Sequence, residues 1–217
     1  SASGNVYSGL DIDTTLASLN ATSLGAVTAG VDLKLKGSAI LNVASGALVP
    51  RGDFTLAIGQ IRAAALASGA GQDADALALT LSNVAVFVGT GGSINTNGTA
   101  NLFSDDTVVN GTLGFGATLN GLTVVSIKDR GANASLTNDD TAYLAVALDD
   151  FSGSLIGLES VLAFNAWGVD AILNRAADSD ANPLTNPGKL DWSALAHGTT
   201  YTGLDIDTTL DRKSTRL

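Results

Sequence analysis

Apolar residues recur at every second position along most of the chain, so side chains two apart share a face and the segments read as β-strands. Residues 31–36 show the pattern plainly: Val31, Leu33 and Leu35 have one parity, and Asp32, Lys34 and Lys36 the other. Such a strand is expected to have one buried and one wet face. Runs of this kind, bounded by Gly, Asn, Asp or Ser, fall in three triplets: 9–16, 31–43 and 53–61; 77–88, 108–119 and 122–127; 143–148, 162–173 and 190–195. In the second triplet Leu77, Leu79 and Leu81 share a parity, while Val84, Val86 and Val88 take the opposite one. A bulge or corner near Ser82 and Asn83 is therefore predicted. Two stretches, 61–70 and 155–162, are rich in helix formers and are expected to be short helices. The long polar segment 89–107 is expected to be a surface loop.

The strand pattern sits inside a longer period. Tyr7-Ser-Gly-Leu-Asp-Ile-Asp-Thr-Thr-Leu16 returns 194 residues later as Tyr201-Thr-Gly-Leu-Asp-Ile-Asp-Thr-Thr-Leu210, identical at nine of ten positions. Residues 1–210 thus read as one 194-residue period and the start of the next, with three nested β units at approximately 5–70, 71–140 and 141–200. The fold expected is all-β: an elongated repeat of mainly antiparallel strands, in a sandwich-like or solenoid stack, with at most one or two short helices.

Composition narrows the function classes. Of 217 residues, 45% are hydrophobic but only 5% aromatic, and Cys and Met are absent, so the core is built from small aliphatic layers without disulfides or thiolate chemistry. Lacking an initiator Met, the sequence is expected to be a mature form or a fragment. Residues 211–217, with three basic side chains, resemble sequencing-adapter read-through from a metagenomic reading frame and are expected to be a non-native tail. The net charge of −10 has the wrong sign for a phosphate backbone, which argues against nucleic acid. No apolar run approaches the roughly 18 residues of a transmembrane helix, and the scarcity of aromatics disfavours a membrane β-barrel, so no membrane insertion is expected.

Three stretches carry a resemblance to a known family: Leu81-Ser-Asn-Val-Ala-Val-Phe-Val-Gly-Thr-Gly-Gly92, Asn110-Gly-Thr-Leu-Gly-Phe115, and Leu173-Asn-Arg-Ala-Ala-Asp-Ser-Asp180 leading to Leu190-Asp-Trp192. In these the chain resembles large bacterial secreted or surface-attached tandem-repeat proteins, adhesin-like chains that accompany RTX-type calcium-binding modules. The resemblance implies export to the cell surface or the extracellular space, an extended architecture, and neighbouring repeats of the same chain as partners. The glycine-rich calcium nonapeptide of RTX arrays is absent.

Calcium is the one cofactor the residues invite. Asp178, Asp180 and Asn182 place oxygen ligands at alternate positions, as at the start of an EF-hand loop, but Pro183 and Lys189 stand where the turn glycine and bidentate Glu belong. An Asp- and Asn-rich surface turn is the plainer reading. A second candidate set is Asn95, Asn97, Asp105 and Asp106, should the loop fold back on itself. Catalysis finds little support, because His197 is the only histidine, Glu159 the only Glu, and no Ser stands in a Gly-x-Ser-x-Gly elbow. Glycine clusters at 89–92 and 111–116 are expected to serve turns and tight strand approach. The integrin-like tripeptide Arg51-Gly-Asp53 overlaps a strand start. Trp167 and Trp192 are expected as core anchors or as a sugar-stacking platform. The sequence therefore predicts a non-catalytic structural or adhesive segment that attaches to surface glycans or other cells. The alternatives are a carbohydrate-binding module, marked by a tryptophan exposed beside a shallow groove, and a glycan-active enzyme.

Overall fold

The structure, a computed structural model, describes residues 31–66, 68, 73–131, 135, 139–178 and 187–193. It contains eight strands: β1 (Val31–Ile40), β2 (Leu48–Ile61), β3 (Ala74–Thr90), β4 (Ser93–Asn95), β5 (Thr107–Val109), β6 (Leu113–Asp129), β7 (Thr141–Ile156) and β8 (Asn165–Asp178). Six of them form one sheet in the order β1-β2-β3-β6-β7-β8, and β4 pairs with β5 as a separate hairpin. Every pairing is antiparallel, so among the described residues the sheet is a meander with β1 and β8 at its edges. The protein is thus all-β and mainly antiparallel. At about 3.3 Å per residue, the 17 residues of β3 span about 55 Å.

Two expectations about helices are corrected. Of the stretch 61–70, the described residues 61–66 do not open a helix: Ile61 is still paired with Ala74, and Leu66 N donates to Ala63 O at 3.2 Å in a turn. The connection must close a β2–β3 hairpin, and Arg62 holds its mouth by donating twice to Asp73, at 2.9 and 3.0 Å. At 155–162, Leu155 and Ile156 complete the ladder with Phe115 and Gly114, and one hydrogen-bonded turn follows, with Leu162 N donating to Leu158 O at 2.7 Å. In both places ladder pairing outweighs local helix propensity.

The predicted corner is present and crosses the whole sheet. Asn83 has φ +52° and Asp150 φ +50°, a left-handed conformation that Asn and Asp tolerate better than other side chains. Asp53 accepts from Ser38 Oγ (2.5 Å) and Asn83 Nδ2 (2.8 Å), Asp150 accepts from Asn120 Nδ2 (2.8 Å), and Asp170 accepts from Asp150 N (2.9 Å). These six residues, one on each strand, form a polar belt. The β3–β6 ladder steps over Asn83 and resumes in the same register, which is why 108–119 and 122–127, expected as two strands, lie largely in the single strand β6.

Below the belt the two faces differ. One carries the core: Ala57, Ala76, Ala78, Val125, Ile127 and Tyr143 are buried under Ala63, Leu66 and Leu190, with Trp192 packed against them. Lys34 and Lys36, opposite Ala57 and Thr55, stand on this same face. On the other face Leu35, Leu56, Leu79, Val124, Val146 and Leu173 make one apolar row through all six strands. The row of Leu33, Ile58, Leu77 and Leu144 flanks it on one side, and that of Phe54, Leu81, Leu122 and Leu148 on the other. None of these fourteen side chains is buried, and no described element packs over them. β1 therefore departs from expectation, since Leu33 and Leu35 are 39% and 45% exposed.

Two carboxylates tie acid stability to this scaffold. Asp75 is held below the usual value of 3.8 by the hydrogen bond from Arg130 (2.7 Å) and then that from Gln60, and Asp53 by those from Asn83 and Ser38. A folded pKa below the unfolded one adds stability that is complete above 3.8 and vanishes as pH falls through the folded value. Urea midpoints of the parent and Asp75→Asn are thus expected to differ at neutral pH and to converge below pH 3.8. A constant gap down to the acid end would contradict this account.

Candidate functional site

Above the belt the sheet is capped by β4, β5 and the turn before β2. Phe87 and Val49 are fully buried there. Gly92 is required by close approach, because a Cβ would lie 2.8 Å from the Gly46 carbonyl oxygen and drive into the Phe87 ring. Gly116 is required similarly, since an added Cβ would stand 2.9 Å from the Asn110 side-chain amide. The glycine clusters thus serve tight backbone approach. Their outcome is that Asn110 rests on the sheet itself.

Asn110 lies in the wall of an open groove of about 500 Å³ that crosses β6, β7 and β8. Its floor consists of small residues, Gly116, Ala117, Gly153 and Ala166. Hydrogen-bonding groups come from Asn110, Thr118, Ser152, Ser154 and Asn165, and no charged side chain lines it. Phe115 and Phe151, stacked at 6.4 Å, buttress the floor, their rings packed against Gly153. Trp167 stands at the rim, 77% exposed.

The exposure of Trp167 has a backbone cause. Gly153 pairs with Ala166 and Phe151 with Val169, so β8 places Trp167 and Gly168 where β7 has only Ser152. Gly168 takes φ +60° with nothing within 4 Å of an added Cβ, so the glycine is needed for conformation, not for space. This β-bulge re-aims the tryptophan away from the regular alternation of the strand. The groove's polar residues were not singled out from the sequence. The signal available was the glycine inside a strand pattern, which marks a bulge.

No protein family, curated protein or solved structure matches the chain.

Trp192 takes the other expected role: it packs on the core, and its Nε1 donates to Asn174 at 3.1 Å. Of the first calcium set, Asp178 ends β8 opposite Thr141, while Asp180 and Asn182 lie outside the described residues, as do His197 and both copies of the repeated decapeptide. The loop of the second set does fold back. Asn95 Oδ1 accepts from Asn97 N (3.0 Å), Asn97 Nδ2 donates to the Asp105 carbonyl (2.6 Å), and Thr99 Oγ1 donates to the Asp105 carboxylate (2.9 Å). Asp106 is buried, its Oδ1 without a hydrogen-bond partner. Among the described residues no three His, Cys, Asp or Glu side chains gather as metal ligands. Hydrogen bonds from its own backbone N–H and then from Gly157 N (3.0 Å) hold the Glu159 carboxyl below the usual range. Arg51-Gly-Asp53 runs through β2, with Arg51 donating to the Ser104 carbonyl and Asp53 in the polar belt.

Proposed function

We propose that this chain is a non-catalytic adhesive segment of an extracellular bacterial repeat protein, and that it attaches by binding a neutral glycan in the groove beside Trp167. One observation carries the reading: an indole 77% exposed at the rim of an open, uncharged groove furnished with amides and hydroxyls. A sugar ring has an apolar face that stacks on an aromatic plane and a rim of hydroxyls that pair with Asn, Ser and Thr side chains. A shallow groove open at its ends suits a polymer threading past, and the lack of charge favours a neutral one. The groove offers no carboxylate or imidazole to move a proton, which supports binding without turnover. Neighbouring repeats belong to this reading as the array that multiplies weak contacts. Calcium belongs to it at the loop of Asn95, Asn97, Asp105 and Asp106, where a cation would satisfy the unpartnered Asp106 oxygen.

The test is affinity electrophoresis of the full chain through gels containing cellulose derivatives, xylan, chitin derivatives or starch, followed by calorimetry. Retardation by at least one is expected, and Trp167→Ala is expected to weaken binding about tenfold or more. Because the side chain is exposed, the same substitution should leave stability within about 0.5 kcal/mol. Retardation by none of them, or unchanged binding in Trp167→Ala, would overturn the proposal.

A further inference from the structure

The apolar face below the belt is the largest feature that glycan binding leaves unused. Fourteen leucine, valine, isoleucine and phenylalanine side chains lie unburied in three adjacent rows, the middle one spanning all six strands and the flanking ones interrupted only by Ser126 and ended by Gly37, Ala171 and Arg175 at the edge strands, and contiguous apolar patches of this extent mark interaction surfaces. We infer that this face is the interface of a two-fold dimer, in which a second copy of the chain packs its own apolar face against it to complete a β-sandwich.

Area, rim and charge favour a second copy. Six strands about 4.8 Å apart and three rows about 6.8 Å apart give a footprint of roughly 600 Å² per copy. Two copies would then remove about 1,200 Å² from solvent, the lower bound of specific protein interfaces and more than lattice contacts reach. The patch is bounded by polar rows on both sides, as interfaces are: the belt on one, and Gln60, Asp75 and Lys128 on the other. β3 and β6 are the two central strands of the sheet. A two-fold axis running parallel to the strands between the facing sheets lays β3 of one copy over β6 of the other. Asp75 on β3 then meets Lys128 of the second copy, and Lys128 meets its Asp75, because the two residues are paired in one row. Opposite charges on the two central strands of one rim row make the face self-complementary, which is what an isologous interface requires.

Sedimentation equilibrium of the 217-residue chain at micromolar concentrations tests this directly. A dimer is expected, weakened to monomer by Val124→Asp in the middle row. A rim pair keeps the test valid if that variant unfolds: Lys128→Asp is expected to raise the dimer dissociation constant about tenfold or more, and adding Asp75→Lys to restore it. Circular dichroism checks that each variant keeps its β signal. A monomeric parent, meaning the face is covered from within the chain or not at all, would overturn the inference. So would a dimer indifferent to the rim substitutions, which would assign association to another surface such as the edge strands.

Discussion

Phe87→Ala is expected to lower the free energy of unfolding by about 3–5 kcal/mol, because Phe87 is the largest fully buried side chain among the described residues. The ring is fully buried, between Val49 on β2 and Gly116 on β6 in its own row. Its walls are largely backbone, with Gly89, Gly92 and Gly114 all within contact of the ring. Glycine walls have no side chains to lean into the space a phenyl group leaves. The cavity therefore stays open, and the cost lies at the upper end of the usual range. Urea denaturation gives the number. A loss below about 1 kcal/mol would mean that this end of the sheet is not packed as described.

Asp129→Ala is expected to cost about 2–4 kcal/mol. Its carboxylate is fully buried and accepts from Ser68 N at 3.0 Å and Gly131 N at 3.1 Å, so one side chain fastens two connections at the lower end of the sheet. Alanine leaves both amide donors without their acceptor, and burial denies water to that of Gly131. Asn is expected to fall between, because it keeps one acceptor oxygen and turns an amide donor toward the other N–H. Native-state hydrogen exchange separates this from a general loss of stability. The amides of Ser68 and Gly131 should exchange faster in Asp129→Ala than their neighbours do, and uniform acceleration across the sheet would contradict the account.

Much of the sheet was legible in the chain because a strand with two distinct faces writes a period of two. Leu77, Leu79 and Leu81 announced one register and Val84, Val86 and Val88 the other, and the conformation of Asn83 accounts for the switch. The same corner misled at Asn120, where a polar interruption read as the end of a strand that in fact continues. Alanine misled as well. Residues 61–66 have high helix propensity, but Ala63 is buried against Ala57 and Ala76, where a small side chain is what the packing needs. Period two also reports only that faces differ, not which is covered. The parity of Leu35 and Lys36 predicts a buried and a wet side chain, whereas the leucine row is unburied and the lysine shares the core face. The groove was hardest to foresee, since its five polar residues come from four separated stretches and only their pairing brings them together.

The number of strands in the meander has a geometric consequence. With six, an even count, the chain enters β1 at Val31 and leaves β8 at Asp178 on the same end of the sheet, the end of the alanine core. Trp167 lies eleven residues back along β8, about 35 Å from that exit. Whatever precedes residue 31 and follows residue 178 is thus tethered at one pole, while the tryptophan projects from the opposite one. Strung in series, such units would hang from a common cord like pennants, each holding its Trp167 end outward.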